Sequence, residues 1–503
     1  MNLRMHIGFL NPQGNFDRSD SYWTEHPDFG GQLVYVKQVA VSMAEQGHKV
    51  DILTRQIIDP DWPEFAEPLD AYPGVPNLRI IRLPAGPKEF LPKELLWPHL
   101  VQDWVPNILK FYEEEGSVPD AMTSHYADGG LCGVLIYQEK GIPFTFTGHS
   151  LGAQKMDKLE ISPENIEQIE EKYNFGCRLI AERLSMQYSA INITSTKQER
   201  FKQYGHYTYK GAVNVENDDR FAVIPPGSNL AIFGASETNG SERATQIQVE
   251  ECLTRDLGKD REDLPAIVAS SRLDPKKNHL GLLEAFAHSK KLQETANLVI
   301  ITGGLADPLR NDAEAHESEK VVLASLREVV ETHNLWGQVS AFSVSGQAAL
   351  AATYRFFAQK RSVFALTALY EPFGLAPLEA AASGLPVVVT KNGGPSESMR
   401  QGNEEYGVLV DPAEPADIAK GLERVLCDPD EWEKFSEAGR QRVFSKYTWE
   451  RTAQRYLNAI EHCLVAPPKD DRPAIPIASL FRDNKVLADI RVEELKRLYL
   501  LPS

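Results

Sequence analysis

Residues 370–384 read YEPFGLAPLEAAASG, and they follow an apolar run at residues 362–367 that is typical of a buried strand. The chain then turns through Pro372 and Gly374 and enters an alanine-rich helix with Pro377 in its first turn, where proline is tolerated. Unpaired N–H groups and the helix dipole both attract an anion to such a helix N-terminus. This stretch therefore predicts a strand–turn–helix unit with an anion site at the turn.

Two carboxylates flank the predicted anion site. Glu371 lies in the turn, and Glu379 lies eight positions later, inside the helix. Backbone N–H groups can bind a diphosphate while carboxylates accept hydrogen bonds from sugar hydroxyls. The pattern indicates a nucleotide-sugar pocket. The plainer alternative is a capped helix with one glutamate on its solvated face.

Size and charge limit the classes of protein. A chain of 503 residues exceeds the roughly 250–300 residues that one core supports, so two domains are expected. The hydrophobic content of 42% is ordinary for a globular protein. A formal net charge of −18 argues against non-specific nucleic-acid binding, and no nucleic-acid partner is expected. An anionic substrate would need a local cluster of cations.

The five cysteines are dispersed, odd in number and without a C-x-x-C pair. They indicate a reducing compartment and no structural zinc. The first ten residues lead directly into a strand-like segment, and no run of about 20 apolar residues occurs. We therefore expect no signal peptide, no membrane span and a cytoplasmic location.

Short apolar runs alternate with amphipathic helix-length segments in both halves of the chain. This alternation predicts an α/β protein with two doubly wound domains, at residues 1–228 and 229–447, and a tail of unknown role at 466–503. Single helices are predicted at residues 33–46 and 166–187. Strands are predicted at residues 6–11, 49–54, 78–83, 121–125, 144–147, 190–194, 221–224, 266–270, 298–302, 339–342, 363–367, 387–390 and 408–410.

A basic pair follows the first predicted strand of the second domain. Arg272 and Lys277 lie in the segment SSRLDPKKN at residues 270–278. Loops at the carboxyl ends of parallel strands face the crevice in which doubly wound sheets bind ligands. The guanidinium can bind phosphate with two parallel hydrogen bonds, and the lysine adds a point charge. The pair predicts a diphosphate site, with a solvated loop as the alternative.

Two segments of the first domain follow predicted strands. Residues 28–32, DFGGQ, place Gly30 and Gly31 before the first helix, where glycines allow a ligand to approach the backbone. No G-x-G-x-x-G occurs in this turn, which disfavours NAD or FAD. His149 lies in TGHSLG at residues 147–152 and is a candidate site residue.

Loops of both domains resemble a known family. The E-x7-E element formed by Glu371 and Glu379 is similar to that of retaining glycosyltransferases of the GT-B fold. The loops NPQG (residues 11–14), Gly-Gly, FLPK (residues 90–93) and TGHSLG resemble the bacterial sucrose-phosphate synthase family, and the resemblance covers residues 5–465. It implies two Rossmann-like domains facing a central cleft, with a C-terminal helix at 448–465 packing back on the first domain.

The resemblance also implies roles for individual residues, Mg²⁺ at most as a free activator, and no bound metal. The implied catalytic residues are His149, Arg272, Lys277 and Glu371; the donor-binding residues are Gly30, Gly31, Arg272, Lys277, Phe373, Gly374, Leu375 and Glu379; the acceptor-binding residues are Gln32, Lys93, Tyr126, Ser150, Lys155 and Arg178. Lys93, Lys155 and Arg178 would bind the acceptor phosphate.

The implied reaction is transfer of glucose from UDP-glucose to fructose 6-phosphate with retention, giving sucrose 6-phosphate and UDP. No cofactor is obligatory. No D-x-D-x-T motif occurs, so a separate sucrose-phosphate phosphatase is expected downstream. Mannosylfructose-phosphate synthase, another hexosyltransferase of the GT4-like families, or sucrose synthase are the related alternatives. Sucrose synthases carry a long N-terminal extension that this sequence lacks.

Two alternatives come from other classes of protein. One is a non-catalytic sugar-nucleotide sensor, against which the intact Glu371, Arg272 and Lys277 argue. The other is a phosphorylase-like enzyme, which would need a pyridoxal phosphate lysine and a longer chain. The sequence leaves open the donor base, the gluco or manno configuration and the oligomeric state.

Overall fold

The computed structural model of the chain describes residues 4–23, 29–235, 240–466, 475–476 and 492–501; for residues 240 and 241 it describes the backbone alone. Internal contacts divide the chain into two compact units, Met1–Pro225 together with Trp449–Ser503, and Pro226–Thr448. The borders expected from the sequence, 228/229 and 447/448, stay a prediction about independently folding domains.

Strands alternate with helices along both units. The strands are β1 (His6–Leu10), β2 (Lys49–Arg55), β3 (Leu69–Asp70), β4 (Leu78–Leu83), β5 (Ala121–His125), β6 (Phe144–Thr147), β7 (Ile191–Thr194), β8 (Phe221–Val223), β9 (Ala266–Ser270), β10 (Asn297–Thr302), β11 (Val339–Ser343), β12 (Val363–Leu366), β13 (Val387–Thr390), β14 (Arg400–Gln401), β15 (Glu404–Glu405) and β16 (Val408–Val410).

Helices occur throughout both units, and those of the first unit lie at both ends of the chain. The helices are α1 (Gly31–Glu45), α2 (Trp97–His99), α3 (Val105–Glu115), α4 (Tyr126–Lys140), α5 (Gly152–Lys158), α6 (Ile166–Tyr173), α7 (Phe175–Tyr188), α8 (Leu230–Phe233), α9 (Gly240–Asp256), α10 (His279–His288), α11 (Lys290–Thr295), α12 (Glu317–Thr332), α13 (Gln347–Gln359), α14 (Leu375–Ala382), α15 (Pro395–Ser398), α16 (Pro415–Leu426), α17 (Pro429–Lys446), α18 (Trp449–Val465) and α19 (Val492–Tyr499).

The sheet of the first unit has the order β3-β4-β2-β1-β5-β6-β7-β8, and its neighbouring strands are parallel except for the pair β3–β4. Both faces are covered by helices, which explains why its strands read as nearly continuous apolar runs. Ile7 and Phe9 of β1 pack in a cluster with α1 and α18, whereas Leu10 packs in a second cluster with α4 and α7. The strand order reverses between β1 and β5.

The sheet of the second unit has the order β11-β10-β9-β12-β13-β16 and is parallel throughout. Ile267 and Ala269 of β9 pack with α10, α12 and α16, and Val268 packs on the other face with α13 and α14. The order reverses between β9 and β12. In such sheets the crevice at a reversal of strand order is where ligands bind, at the carboxyl ends of the strands.

The predicted strands are all present, with ends that shift by at most one residue. The prediction of one helix over residues 166–187 is wrong. The structure has two helices, α6 and α7, separated at Asn174, whose backbone is left-handed with φ of 50°. Asparagine tolerates this conformation better than other non-glycine residues, so it ends the first helix. The short β3 and the β14–β15 hairpin were not predicted.

The C-terminal part of the chain packs on the first unit. Helix α18 places Trp449 and Tyr456 in the cluster that contains α1. Within the tail, the described α19 buries Leu495 and Tyr499 against the helical layer of α6 and α7. The Tyr499 hydroxyl donates to the Asp157 carboxylate at 2.6 Å. The rest of the tail, except residues 475–476, lies outside the described residues.

Candidate active site

The second unit brings two predicted segments together at its reversal of strand order. The loop after β9 carries Arg272 and Lys277, and the turn after β12 carries Glu371. Lys277 Nζ lies 2.6 Å from Glu371 Oε2, and both side chains are mostly buried. Arg272 is exposed. The sequence indicated that these residues share a site, but it gave no sign that the lysine and the glutamate pair with each other.

Hydrogen bonds of Asn278 and His279 hold the loop that carries Lys277. Asn278 has a left-handed backbone with φ of 58°, and its Nδ2 donates to the carbonyls of Thr367 at 3.0 Å and Pro412 at 2.8 Å. His279 Nε2 lies 3.0 Å from Ser271 Oγ, and burial lowers the pKa of His279 to about 4. A neutral histidine therefore supports the loop without adding charge. Sequence reasoning missed this support.

A glycine pair supports the turn that carries Glu371. The N–H of Gly394 donates to the Glu371 carbonyl at 2.9 Å, and the N–H of Glu371 donates to the Asn392 carbonyl at 3.1 Å. A β-carbon at Gly393 would lie 1.9 Å from the Glu371 carbonyl oxygen, so only glycine fits there. The signal that could have found this contact is the run Asn-Gly-Gly-Pro directly after β13.

The predicted helix N-terminus is present at the same turn. Gly374 precedes α14 with φ of 87°, a left-handed conformation that favours glycine. Phe373 is half-buried and Leu375 is exposed. The first-turn N–H groups of α14 have no intrahelical acceptor, as at any helix start, and are available to an anion.

Glu379 lies in α14 in surroundings that disfavour its charge. Burial raises the pKa of Glu379 to about 7, and the charge of Glu379 contributes to raising the pKa of Tyr354. Among the described residues the Glu379 carboxylate has no hydrogen-bond donor, so a bound ligand with hydroxyl groups would supply what the protein does not.

In the first unit, His149 follows β6 in a strained backbone with φ of 55°. Its Nε2 lies 2.8 Å from Nδ1 of His125, at the end of the neighbouring β5, and its ring contacts Tyr35 with centroids 5.0 Å apart. Burial lowers the pKa of His149 to about 3, so the imidazole is neutral. A neutral histidine can orient a hydroxyl but cannot stabilise charge as a cation. Sequence reasoning missed His125.

The glycine loop before α1 borders open space, and its predicted role stays a prediction. A β-carbon at Gly30 or Gly31 would meet nothing within 4 Å, so the local backbone does not require glycine and the space before the helix is open. The Gln32 amide donates to Asn11 Oδ1, and its Oε1 accepts from Gln13 at 2.7 Å. Gln32 thus fixes the loop after β1. Asp28 of this motif lies outside the described residues.

The predicted acceptor cations gather around the break between α6 and α7. Lys155 Nζ lies 4.4 Å from the ring centroid of Tyr173, the last residue of α6. Asn174 Nδ2 donates at 2.9 Å to the carbonyl of Glu94, the residue after Lys93. Arg178 lies one turn into α7. The helix break therefore joins the segments that carry all three cations.

Arg178 has two partners within the first unit. Its Nε donates to Glu182 at 3.0 Å, and its terminal nitrogen donates to the carbonyl of Ser150. Glu182 is buried and also accepts from the N–H of Gly152 at 2.8 Å. Arg178 therefore positions the loop after His149 in addition to any ligand role. Sequence reasoning missed Glu182.

Tyr126 and Lys93 complete the predicted set. Tyr126 opens α4 with φ of 60°, and its ring centroid lies 5.5 Å from that of His149. Lys93 Nζ lies 3.9 Å from Glu94 Oε1, and Lys93 lines a small recess with the loop after β1, including Pro12 and Gly14. Within the described residues, no group of three or more His, Cys, Asp or Glu is arranged to hold a metal ion.

Comparisons with known proteins agree with this architecture. Residues 255–442 match the family described as glycosyl transferases group 1, and residues 3–253 match the one described as the first GT-B domain of sucrose synthase. These matches confirm the predicted fold class, two doubly wound domains of the GT-B type. In the described ranges no helix is both long and apolar enough to cross a bilayer.

Three relatives illustrate how far the similarity extends. A probable sucrose-phosphate synthase of Thermosipho melanesiensis is 43% identical over 457 residues, which are 91% of this chain and 96% of the relative. The sucrose-phosphate synthase of Zea mays is 31% identical over 89% of this chain, but the match spans only 46% of the maize protein. The structure of a Thermosynechococcus elongatus sucrose-phosphate synthase superposes with a TM-score of 0.63 at 25% identity, covering 92% of this chain and 100% of that one.

Proposed function

We propose, from the premise that this chain belongs to the sucrose-phosphate synthase family of GT-B glycosyltransferases, that it transfers glucose from UDP-glucose to fructose 6-phosphate with retention of configuration. The products are sucrose 6-phosphate and UDP. The single observation that carries the proposal is the meeting of Lys277 and Glu371 beside the N-terminus of α14, at the reversal of strand order.

Stabilisation of the leaving group is the role proposed for Arg272 and Lys277. When the bond between the sugar and UDP breaks, negative charge grows on the diphosphate, and fixed positive charge lowers the energy of that state. The exposed guanidinium of Arg272 is available to a phosphate. Backbone N–H groups at Phe373, Gly374 and Leu375 would assist from the start of α14.

The two carboxylates are proposed to bind different parts of the donor. Glu371, held in its turn by Gly393 and Gly394, would orient the transferred hexose. Glu379, which lacks a hydrogen-bond donor among the described residues, would accept hydrogen bonds from the ribose hydroxyls. Burial raises the pKa of Glu379 because the carboxylate loses water without gaining donors from the described part of the protein. Ribose hydroxyls would supply those hydrogen bonds and so favour the charged carboxylate, which supports this role.

A donor phosphate oxygen can accept the proton of the acceptor hydroxyl on the same face of the sugar, which gives retention without an enzymatic acid. His149, which is neutral, is proposed to contact the hexose, together with the loop at Gly30 and Gly31. No cofactor is proposed as obligatory, and Mg²⁺ is proposed only as a free activator.

The acceptor phosphate is proposed to bind to Lys93, Lys155 and Arg178. Their gathering around the α6–α7 break supports a common ligand, and a phosphate ester offers several charge-assisted hydrogen bonds that free fructose lacks. Tyr126 and Ser150 are proposed to line the same site, and Gln32 is proposed to act through the loop after β1 that its amide holds.

The product and the compartment are also proposals. A separate phosphatase is proposed to consume sucrose 6-phosphate, because no phosphatase motif D-x-D-x-T occurs in this sequence. The five described cysteines are unpaired, which supports a reducing compartment such as the cytoplasm.

An activity panel tests the proposal. UDP-, ADP- and GDP-glucose and GDP-mannose are each combined with fructose and fructose 6-phosphate, and products are identified by NMR. We expect α-configured sucrose 6-phosphate from UDP-glucose and fructose 6-phosphate as the best pair. A preference for GDP-mannose would favour mannosylfructose-phosphate synthase, and equal use of fructose would favour sucrose synthase. A reaction without the protein serves as the negative control, and Lys277→Ala is expected to show lowered activity with the same product.

A further inference from the structure

Asp128 is a buried carboxylate that the proposed mechanism does not use. It is the third residue of α4, which begins directly after β5 at the carboxyl edge of the sheet. Only 5% of the residue is exposed. The same edge carries the His125–His149 pair, and Tyr126 lies two residues before Asp128 in the same helical turn.

The hydrogen bonds of Asp128 are incomplete. Its Oδ1 accepts from the N–H of Gly129 at 2.8 Å. In the part of the chain that the structure describes, Oδ2 accepts no hydrogen bond and Asp128 belongs to no ion pair. A buried carboxylate normally has several donors, because losing water costs a charged group more than any other. Burial accordingly raises the pKa of Asp128 to about 6.

Two of the proposed acceptor cations act electrostatically on Asp128. Arg178 and Lys93 both act to lower the pKa of Asp128, and Tyr126 of the same helical turn has its ring centroid 5.5 Å from that of His149. Arg178, however, is already hydrogen-bonded to Glu182 and Ser150. Asp128 therefore does not serve to pair with Arg178, and its open oxygen is free for a different donor.

We propose that Asp128 is a specificity-determining residue whose carboxylate accepts a hydrogen bond from a ring hydroxyl of the acceptor sugar. The inference rests on the proposed function, since it takes the three cations as the phosphate site. A sugar phosphate held by those cations brings hydroxyl groups within a few ångströms of its phosphate. Those hydroxyls are donors, and Oδ2 of this mostly buried aspartate accepts a hydrogen bond from none of the described residues.

A plain capping role explains Asp128 less well. An acidic residue in the first turn of a helix is stabilised by the helix dipole, but that benefit is usually obtained by exposed residues and is small. Burial to 5% adds a desolvation cost that capping does not require. A ligand hydroxyl would offset that cost only in the bound state, which is how a protein selects for a hydroxyl.

The test uses acceptors that lack one hydroxyl each. Fructose 6-phosphate and its 1-deoxy, 3-deoxy and 4-deoxy analogues retain the reacting anomeric hydroxyl, and kcat/KM is measured for the parent and for Asp128→Asn. We expect the parent to use one analogue about 10- to 100-fold less well than fructose 6-phosphate. Asp128→Asn should use that analogue and fructose 6-phosphate within about threefold of each other, because the selective contact is gone.

Two controls separate this outcome from a change in fold. Asparagine has nearly the same shape as aspartate, and UDP affinity by calorimetry reports whether the variant is folded. Glu94→Gln removes a different carboxylate beside Lys93 and should keep the parent's discrimination among the analogues. Discrimination that persists in Asp128→Asn, or that is absent from the parent, would overturn the proposal.

The outcome also distinguishes this inference from the proposed function. If the parent transfers to free fructose as well as to fructose 6-phosphate, the phosphate assignment fails, and the same comparison with 1-, 3- and 4-deoxyfructose still tests Asp128. If the parent uses neither series of acceptors, both proposals are overturned.

Discussion

Lys277 and Glu371 form an ion pair with each other in the absence of the sugar donor. Their side chains lie 2.6 Å apart and are mostly buried, so removal of one leaves the other charge unpaired in a poorly solvated place. A substitution at either position therefore reports on two residues. Single variants alone would overestimate what each group contributes to catalysis.

Arg272→Ala and Lys277→Ala should each lower kcat/KM through loss of a charge-assisted contact of about 1.5–3 kcal/mol. Part of the loss should appear in kcat, because the charge on UDP grows in the transition state. Steady-state kinetics measures both effects. Lys276→Ala is the matched control, since Lys276 is adjacent but exposed and pairs with Asp274 at 2.8 Å.

The effects of Lys277→Ala and Glu371→Gln on kcat/KM should not be additive. In a double-mutant cycle the combined variant should lose less than the sum of the single losses, because the two side chains contact each other. Near-normal kcat/KM for both Arg272→Ala and Lys277→Ala would reject their role at the leaving group.

Glu379→Gln should stabilise the free protein at alkaline pH. Burial raises the pKa of Glu379 from 4.5 to about 7, so folding favours the protonated form. That stability is complete below about pH 4.5 and is lost as the pH rises toward 7. The variant lacks this loss, so its free energy of unfolding should exceed that of the parent by roughly 1–3 kcal/mol at pH 8, but not at pH 5. Urea denaturation at both pH values measures the difference.

The same variant should bind UDP more weakly, whereas Glu371→Gln should mainly lower turnover. Calorimetric titration with UDP separates the two carboxylates. Equal loss of UDP affinity in both variants would contradict the division of roles, and an effect of Glu379→Gln on stability that is the same at both pH values would contradict the burial argument.

At the scale of elements, the break between α6 and α7 organises the proposed acceptor site. Asn174→Gly keeps the left-handed backbone and loses the hydrogen bond to the Glu94 carbonyl, whereas Asn174→Ala loses both. Each variant should raise KM for fructose 6-phosphate. Alanine should cost about 1–2 kcal/mol more stability than glycine, because it resists positive φ. Kinetics and urea denaturation measure these effects.

UDP affinity is the internal control for the Asn174 variants. It should be unchanged in both, because the proposed UDP ligands belong to the other unit. An unchanged KM for fructose 6-phosphate in Asn174→Ala would show that the break does not organise the acceptor site.

Local patterns predicted most elements because apolar periodicity and turn residues act over a few positions. Strand Val387–Thr390, for example, is a run of β-branched residues between a Gly-Leu-Pro turn and a polar loop. The α6–α7 break was missed because a single asparagine disfavours a helix interior too weakly to end a helix by itself, and only its backbone conformation reveals the break. The two-residue strand β3 has no periodicity to detect.

The site was predicted only in part for a similar reason. Motifs at strand ends indicated Lys277, Glu371 and Glu379, since topology brings strand ends together. Which side chains pair is decided by geometry that no spacing encodes, as the Lys277–Glu371 contact and the Arg178–Glu182 contact illustrate. His125 was missed because a histidine at the end of an apolar run resembles a core residue.

At the scale of the whole molecule, a formal charge of −18 repels an anionic acceptor at long range, so local cations must recover its binding. Arg178 and Lys155 differ as positions at which to test the cation cluster, because their partners in the protein differ. Arg178→Ala would leave the buried Glu182 without its cation, and such a loss typically costs 3–5 kcal/mol of stability by itself. Lys155 stacks on Tyr173 instead, and methionine can keep that contact.

Lys155→Met should therefore raise KM for fructose 6-phosphate by about one to two orders of magnitude, the equivalent of about 1.5–3 kcal/mol. UDP affinity should stay intact, and free fructose should be a poor acceptor for both proteins. Lys158→Met changes an exposed lysine of the same helix and should have little effect. Equal kcat/KM for fructose and fructose 6-phosphate in the parent would reject the phosphate site.

The discontinuity of the first unit has a consequence for biosynthesis. Its sheet is complete once Pro225 has been made, but Trp449 and Tyr456, which complete one face of its core, are translated only after the whole second unit. At about 5–20 residues per second, the 223 intervening residues (448 − 225) take roughly 10–45 s. During that interval the nascent chain exposes the apolar groove that α18 will fill, so the ribosome-bound intermediate is where chaperones should engage this protein.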